Sequence, residues 1–486
     1  MRTLIPVLLL STLGFACEAP VRCSEDAQCP RVRPVCDEKG ACVPCAGQPT
    51  ARATRACAAH GGGRCARDDG PFDEGGACVA CLVASDCAEG QGCWFGSCVA
   101  ACARHGDCES AACTFAEVPG AEAPRGTSHA LGLCVPTSSR SFFDEILYVD
   151  RAASGCAQGR GTKEDPLCEV ADALGSLGAK LPSSSIRRST IKVAFSQRPY
   201  APLALPDRPR GVLSAARVLV LGSDGEAAQP VLGNAPGRAA VLVGAGRDVI
   251  LEGLALAESE QGLACIGNGD ARAKAQVVRS HLRGHSRTGI VARRCDLAVE
   301  RCAMYENNDG VLLAQNDVRY RIVNTFAFRN STRGGSLLSF DNDAVGTFRF
   351  NTIANNSPGA GGTLDCGWLD RRIEDSIFVG NGLVRGTSSQ MSGACVLGTT
   401  VLDPGDGAEG GQRGTPQFVG FQDLRLVPDA VENAACCLDR AAALTDGAAW
   451  TDYYGTFRPL GDLPDVGAQE VGLSRGNLFQ SPGETR

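Results

Sequence analysis

Short apolar stretches recur through the middle of the chain at a nearly constant spacing. Six three-residue anchors superimpose, and their central residues are 253, 280, 302, 325, 352 and 376. The steps between these positions are 27, 22, 23, 27 and 24 residues. A second apolar stretch falls between anchors and commonly opens with glycine, as in Gly310-Val311-Leu312-Leu313. A repeat of this length predicts a solenoid, because one unit cannot bury its apolar face alone and stacked units can.

Further apolar runs extend this repeat towards the N-terminus. Thr190–Phe195, Val218–Gly222 and Val249–Leu254 each read as a strand that buries alternate residues. Asparagine tolerates left-handed backbone and can stack in ladders, so turns are expected at Asn324, Asn351 and Asn381.

The direction of the side chains between anchors bears on function. We read Val291, Leu312 and Leu337 as facing outward, which argues against a polar catalytic cleft on their sheet. A slip of one residue would reverse that interpretation.

Composition agrees with a turn-rich β protein. The 486 residues include 60 glycines, and aromatic residues make up only 5%. The net charge of −7 gives no support for nucleic-acid binding. The 26 cysteines are typical of an oxidising compartment.

The N-terminus predicts export. Residues 1–16 read as a signal peptide whose apolar run, Leu4–Phe15, is too short to span a bilayer. Cys17 follows a small residue, as in bacterial lipoproteins, and is the expected lipidation site. Gly14 stands where that family usually has an aliphatic residue, and Gly14-x-Ala16 would also suit ordinary signal peptidase. We therefore expect a lipoprotein of the outer membrane or cell surface, held by lipid alone, or otherwise a secreted protein.

Residues 17–137 form a cysteine-rich region, and residues 138–146 read as a linker. The spacing Cys23-x5-Cys29-x6-Cys36-x5-Cys42 recurs in similar form from Cys81. Sparse apolar content predicts small units that depend on disulfides. Cys42-x2-Cys45 and Cys78-x2-Cys81 also permit a zinc ribbon, but their separation and the export signal favour disulfides. The pattern is similar to cysteine-rich repeats near the N-termini of myxobacterial surface proteins.

Residues 147–472 resemble a known family. Tyr148-Val149-Asp150, followed by Gly161-Thr162 and Pro166 ahead of a short helix, is similar to the entry of bacterial right-handed parallel β-helix proteins of the pectin-lyase-like group. The later run Asp465-Val466-Gly467-Ala468-Gln469-Glu470 resembles the end of the choice-of-anchor Q group, and residues 473–486 form a tail. The resemblance implies an all-β, right-handed parallel β-helix behind a small disulfide-rich domain. Cys156 and Cys168 flank the entry turn and are expected to bridge it.

The resemblance also suggests where chemistry would lie. Lyases of this fold use acidic residues to hold calcium and an arginine or lysine as base. Asp341, Asn342, Asp343 and Asp365 are the candidate calcium ligands, and Arg371 is the candidate base beside those aspartates. The alternative is that residues 340–344 are simply a turn, which we favour because Asp and Asn dominate turns.

Histidines and cysteines add little chemistry. His281 and His285 have the spacing of a helical zinc motif, but they lack its glutamate and their segment reads as strand and turn. The β-helix region holds nine cysteines, so one is expected to be free or to bridge another molecule. Cys366–Cys395 is the expected long-range disulfide, and Cys436 and Cys437 are expected not to pair with each other. Cys302 reads as a small buried residue.

Three functional classes follow from these observations. We favour a non-catalytic surface protein whose β-helix presents an extended face to glycans or a partner. The alternatives are a calcium-dependent polysaccharide lyase or glycoside hydrolase, and a structural spacer lipoprotein. Fold alone does not choose between them.

Overall fold

A computed structural model describes most of the β-helix and part of the cysteine-rich region. The described residues are 23–29, 35–39, 42–43, 50–59, 64–65, 78–79, 86–88, 91–94, 97–102, 111–114, 132–136, 145–180, 188–207, 217–222, 229–269, 271–382, 389–442, 452–453 and 463–471. They fall into two compact units, and one of these contains every residue from 145 onward. Cys17, the signal segment 1–16 and the tail 473–486 lie outside the described residues. None of the described helices is both long and apolar enough to cross a membrane.

The cysteine-rich region consists of very short elements held by disulfides. Its elements are a 3₁₀ helix at Asp26–Gln28, helix α1 at Thr50–Ala59, and strands β1 (Val35–Cys36), β2 (Cys42–Val43), β3 (Arg64–Cys65), β4 (Cys78–Val79), β5 (Gln91–Trp94), β6 (Ser97–Cys102), β7 (Ala111–Thr114) and β8 (Gly132–Pro136). Disulfides join Cys23 to Cys36, Cys29 to Cys42, and Cys87 to Cys98. Cys42 is therefore a disulfide residue, as the sparse apolar content predicted, and not a zinc ligand.

The β-helix begins at a capped end. Strand β9 (Glu145–Val149) leads through a 3₁₀ helix at Cys156–Gln158 into helix α2 (Val170–Lys180). Val170, Ala173 and Leu177 of α2 are buried in the core and close the first turn of the solenoid.

Sheet A is a single parallel sheet of ten strands. In spatial order from the N-terminal end its strands are β9, β10 (Arg188–Val193), β12 (Arg217–Gly222), β14 (Asp248–Glu252), β16 (Ala273–Val278), β19 (Cys295–Glu300), β22 (Arg319–Val323), β25 (Val345–Arg349), β28 (Arg371–Glu374) and β31 (Cys395–Leu397). Non-consecutive neighbours mean that the chain travels around the other faces between these strands. The predicted parallel β-helix is thereby confirmed.

Two further faces, sheets B and C, complete each turn. They meet through the long strands β13 (Val231–Val243) and β15 (Ala255–Ile266), and β11 (Leu203–Leu205) pairs with β13. Beyond β15, sheet B continues with β17 (His281–Arg283), β20 (Ala303–Tyr305), β23 (Phe326–Phe328), β26 (Thr352–Ala354), β29 (Ile377–Val379), β32 (Val401–Leu402) and β33 (Gln412–Arg413). Sheet C continues with β18 (Ile290–Arg293), β21 (Leu312–Gln315), β24 (Leu338–Phe340), β27 (Leu364–Asp365) and β30 (Met391–Ser392).

The corner between sheets A and B has the same two-residue turn on successive turns of the solenoid. A residue with positive φ turns the chain, and the next residue enters the interior. The turning residues include Arg279, Arg301, Asn324, Phe350 and Asp375, with φ of 48°, 53°, 52°, 55° and 47°. The residues that follow them (Ser280, Cys302, Thr325, Asn351 and Ser376) are all fully buried. Two of the predicted anchors were one residue out of place. The anchor at 352 was late, because Thr352 pairs with Phe326 and Asn351 lies level with Thr325. The anchor at 253 was early, because Ala255 pairs with His281 and Leu254 lies level with Ser280.

A buried polar ladder lines the corner between sheets B and C. The side chains of Asn307, Asn330, Asn356 and Asn381 donate successively from turn to turn, at 2.9, 3.0 and 2.8 Å. Each Nδ2 also donates to a main-chain carbonyl, as from Asn330 to Met304 at 2.9 Å. The ladder satisfies polar groups that would otherwise be costly to bury.

The described parts of the C-terminal segment 414–471, namely 414–442, 452–453 and 463–471, pack on the outside of sheet B. Helix α3 (Val431–Cys436) and the strand-free chain around it form a second apolar cluster with Val323, Phe326 and Phe350. The hydroxyl of Thr352 accepts the Ala468 N–H at 3.0 Å. The C-terminal segment therefore lies over the outer side of sheet B around β23, β26 and β29.

Two sequence predictions are corrected by these contacts. Leu312 and Leu337 are 2% and 0% exposed and do not face outward; the residues that face outward on β21 are Leu313 and Gln315. Val291 pairs with Leu313 and so has the predicted outward direction. Cys436 and Cys437 form a disulfide with each other, with Cα atoms 3.7 Å apart. The helix ends at Cys436, and the backbone of Cys437 is no longer helical, with φ −129° and ψ −39°, so the helical side-chain spacing that argued against this pair does not apply.

Candidate functional site

An open groove lies on the outer face of sheet A. It has a volume of about 500 Å³ and crosses strands β14, β16, β19, β22 and β25. Its lining residues are Asp248, Lys274, Ala275, Gln276, Asp296, Leu297, Ala298, Arg319, Tyr320, Arg321, Val345 and Gly346. The strand period of two points alternate residues into the core, so the remaining residues form rows across the sheet surface.

One of these rows carries alternating charge. Asp248 pairs in register with Lys274, Lys274 with Asp296, and Asp296 with Arg319. Asp296 is neutralised by Arg272, whose Nε lies 2.7 Å from its carboxylate. Lys274 and Arg319 are exposed, and neither side chain has a hydrogen bond or ion pair to another described residue. The groove thus presents two cations to solvent at equivalent positions, two strands apart.

The remaining polar groups of the groove are neutral or paired. Arg321 lies 2.9 Å from the carboxylate of Glu300, which is buried. Gln276 lies in the same row as Arg321, two strands away, and offers an uncharged hydrogen-bonding group. Tyr320 is 4% exposed, and burial raises its pKa to about 12, so its hydroxyl stays protonated.

The predicted calcium residues lie at the corner between sheets C and A. Asp341, Asn342 and Asp343 are exposed in the turn before β25, and Asp365 is half-buried one turn of the solenoid later. Asp341 accepts the Asn342 N–H through Oδ1 at 2.8 Å, and Asp365 accepts the Gly367 N–H at 3.1 Å. Both are hydrogen bonds of the kind that stabilise turns.

These carboxylates do not form a three-residue cluster. Within the described part of the chain, one group of three acidic, histidine or cysteine side chains comes close enough to hold an ion, and its members are the disulfide-bonded Cys23, Cys29 and Cys36. A calcium ion on Asp341, Asn342, Asp343 and Asp365 stays a prediction.

Arg371, the candidate base, is turned into the molecule. It is 4% exposed and donates to the Tyr320 hydroxyl at 3.1 Å and to the carbonyl of Asp341 at 3.1 Å. It also donates to the carbonyls of Cys366 and Ala344. Burial lowers its pKa. With its donors directed at main-chain carbonyls, Arg371 holds the corner together, and the exposed neighbour Arg372 pairs with Glu374 at 3.3 Å.

The two histidines belong to the fold. His281 lies on β17 and contacts Tyr453 of the C-terminal segment, with Nε2 and the hydroxyl 3.4 Å apart. His285 is fully buried next to the asparagine ladder, and its main-chain N–H donates to Asn307 Oδ1. Burial lowers the pKa of both imidazoles to about 4. Neither lies on a helix, as the sequence indicated.

Cysteines of the β-helix are mostly paired. The structure joins Cys156 to Cys168 and Cys366 to Cys395, the two pairs that the sequence suggested, and also Cys265 to Cys295. Cys302 is the free thiol among the described cysteines. Burial raises its pKa to about 12, so it stays protonated and unreactive.

Sequence reasoning overlooked Lys274 and Arg319. Asp248, Lys274, Asp296 and Arg319 follow one another at steps of 26, 22 and 23 residues, close to the period of the anchors. This spacing is visible in the sequence, and extending the repeat from apolar to polar positions would have placed the four side chains in one row.

No family model and no curated protein matches the sequence. Several solved structures resemble this chain at low identity, among them the following three. Pectate lyase Pel9A is 12% identical with a TM-score of 0.35, over 68% of this chain and 97% of that one. A pectin methylesterase from Aspergillus niger is 11% identical with a TM-score of 0.26, over 62% and 94%. A rhamnogalacturonan lyase is 9% identical with a TM-score of 0.27, over 57% and 91%. The assignment of this chain as a parallel β-helix rests on its own strand topology.

Proposed function

We propose that the outer groove of sheet A binds an extended acidic polysaccharide, and that the protein is an exported, non-catalytic glycan-binding protein. The observation that carries the proposal is the pair Lys274 and Arg319. Their strands are separated by one other strand, so their side chains leave the sheet about 10 Å apart. Two cations at a fixed interval suit carboxylates that recur along a polymer.

The shape of the groove supports a polymer over a small metabolite. Small-molecule sites are usually concave pockets that enclose most of the ligand. This groove instead runs open across five strands of sheet A. Gln276 adds a neutral partner for sugar hydroxyls beside the cations. Sheet A has ten parallel strands in one continuous row, so it offers an extended face that a long ligand can follow.

The compartment supports the same proposal. The described disulfides are typical of extracellular proteins. Polysaccharides with regularly spaced carboxylates occur outside the cell, where an exported protein could bind them. Lipidation of Cys17 would keep the groove at the cell surface, and secretion would release it.

The test is titration calorimetry with polygalacturonate and its fully methyl-esterified form. We expect the acid polymer to bind and the ester, which has the same backbone without charge, to bind at least about tenfold more weakly. Lys274→Gln with Arg319→Gln should abolish the preference. Lys163→Gln with Arg198→Gln, which removes equal charge from exposed residues outside the groove, should leave it intact. Equal affinity of both double variants for the acid polymer would refute the proposal.

The same mixtures distinguish binding from catalysis. After incubation with and without calcium, ultraviolet absorbance would report unsaturated sugars, and a reducing-end assay would report hydrolysis. Unchanged polymer is the expected result. New absorbance that disappears in Asp343→Asn would assign a lyase and replace the binding proposal.

A further inference from the structure

Trp368 stands out on the surface of the β-helix. It lies at the corner between sheets C and A and is 86% exposed. Indole is a large apolar group that most proteins bury in large part. Leu369, Val345 and Val396 at the same end of sheet A are also exposed, at 51%, 52% and 42%. An exposed apolar group of this size, beside a polar groove, marks a contact surface.

The turn that carries Trp368 is held firmly. The Cys366–Cys395 disulfide ties its first residue to strand β31. The Trp368 N–H donates to Asn342 Oδ1 on the preceding turn of the solenoid at 2.9 Å. Arg371 donates to the Cys366 carbonyl from beneath. The main chain below the indole is therefore fixed before any ligand arrives, which reduces the entropy lost on binding.

Trp368 is also in line with the groove. Phe348 pairs with Ile373, so the position of Val345 on β25 is continued by Asp370 on the next turn. Asp370 is two residues from Trp368 in sequence. Four strand spacings separate the position of Asp370 from that of Lys274, a distance of about 19 Å. A ligand that follows the row from Lys274 past Arg319 and Val345 would arrive at the indole.

We propose that Trp368 is an aromatic subsite that stacks one sugar ring of the acidic polysaccharide at this end of the groove. The inference rests on the proposed function and adds a position to it. The C–H groups on one face of a pyranose ring carry partial positive charge and match the negative face of an indole. The cations would hold carboxylates while Trp368 holds a ring face, so the site selects an acidic chain long enough to reach both.

The test uses the full-length protein with a dimer and a decamer of galacturonate. Trp368→Ala should weaken decamer binding at least about fivefold, as expected for the loss of one aromatic contact. Dimer binding at the cations should stay unchanged. Trp368→Phe should retain most of the decamer affinity. Phe421→Ala, which removes another exposed aromatic (64%) from the C-terminal segment, should have no effect.

Tryptophan fluorescence gives a second measurement. Its emission would not respond to the ligand if Trp368 had only a structural role. The chain has three tryptophans, Trp94, Trp368 and Trp450, and the difference between wild type and Trp368→Phe isolates the signal of Trp368. The decamer should shift this emission to shorter wavelength and protect it from acrylamide, while the dimer should do neither.

Two results would overturn the inference while leaving the proposed function standing. The first is a Trp368→Ala variant that binds the decamer like wild type, while Lys274→Gln with Arg319→Gln does not bind it. The second is self-association of the protein: sedimentation would show that two protein chains associate in wild type and separate in Trp368→Ala, while the affinity for the galacturonate decamer is unchanged. Failure of the wild-type protein to bind any uronate would instead refute the proposed function, and the inference with it.

Discussion

Arg371 donates a hydrogen bond to the Tyr320 hydroxyl at 3.1 Å, from two strands away in sheet A. Tyr320 lines the groove, and Arg371 also holds the turn that carries Trp368. One buried guanidinium therefore connects strand β22, which carries Arg319 and Arg321 of the groove, to the turn that carries Trp368. Its burial and its carbonyl partners give it a positioning role.

Arg371→Met is expected to destabilise the protein. The substitution keeps an apolar stem of similar length and leaves the carbonyls of Cys366, Asp341 and Ala344 without their donor. The loss of several buried hydrogen bonds should lower the free energy of unfolding by about 3 kcal/mol. Denaturant unfolding measures it, with Arg372→Met as the control because that guanidinium is exposed. Equal stability of the two variants would contradict the positioning role.

The asparagine ladder should be sensitive at its centre. Asn330→Ala removes the amide between Asn307 and Asn356 and leaves buried polar atoms on both sides unsatisfied. We expect a loss of about 2 kcal/mol in the free energy of unfolding. Asn308→Ala is the matched control, since Asn308 is exposed beside the ladder. A loss for Asn330→Ala no larger than for Asn308→Ala would show that the ladder contributes little.

His285 predicts a pH dependence of stability. Burial lowers its pKa from the ordinary 6.5 to about 4. Between these values the unfolded chain binds a proton that the folded protein does not, so stability decreases as the pH falls from 6.5 to 4. The full loss is about 3 kcal/mol for one imidazole, at 1.36 kcal/mol per pKa unit.

His285→Asn should flatten this dependence. Asparagine occupies the equivalent position at 307, 330 and 356, so the substitution extends the ladder by one turn. His281, whose pKa is also lowered to about 4, would supply the remaining slope. Thermal melts between pH 4 and 7 measure the effect. An unchanged slope in His285→Asn would show that His285 is not the titrating group.

The C-terminal segment should depend on Asp375. Asp375 is 1% exposed, pairs with Arg349 and accepts the Ala442 N–H at 2.9 Å. Asp375→Asn keeps the shape and leaves the guanidinium without its opposite charge, which should cost about 3–5 kcal/mol. Limited proteolysis should then cut within 414–471 faster than in wild type. The exposed Asp343→Asn serves as control, and equal digestion of both variants would argue against this role.

The repeat was predictable from sequence because its apolar positions recur at a nearly constant step. The register was harder to predict, and the dipeptide Asn-Thr shows why. In Asn324-Thr325 the asparagine has positive φ and the threonine is level with Cys302, whereas in Asn351-Thr352 the asparagine already occupies that interior position. Phe350 has the positive φ in the second case, and a phenylalanine gives no turn signal.

The candidate site was harder still to predict. Asp341, Asn342 and Asp343 were predicted as calcium ligands because they are adjacent in sequence, and they lie in a turn. Lys274 and Arg319 are single charges 45 residues apart, and they come together only when the rows of sheet A are known. The vicinal disulfide depends on the backbone at the end of a helix, which composition and spacing do not report.

Carbodiimide coupling of oligogalacturonate to the protein, mapped by mass spectrometry, tests the central claim most directly. The reagent joins a bound carboxylate to a lysine amine in contact with it, and the chain has only five lysines, Lys39, Lys163, Lys180, Lys192 and Lys274. The groove on sheet A predicts that coupling occurs at Lys274 and is suppressed by excess free polygalacturonate but not by its methyl ester. Coupling at the exposed Lys163 to the same extent, or at Lys274 regardless of competitor, would contradict an acidic-glycan site in this groove.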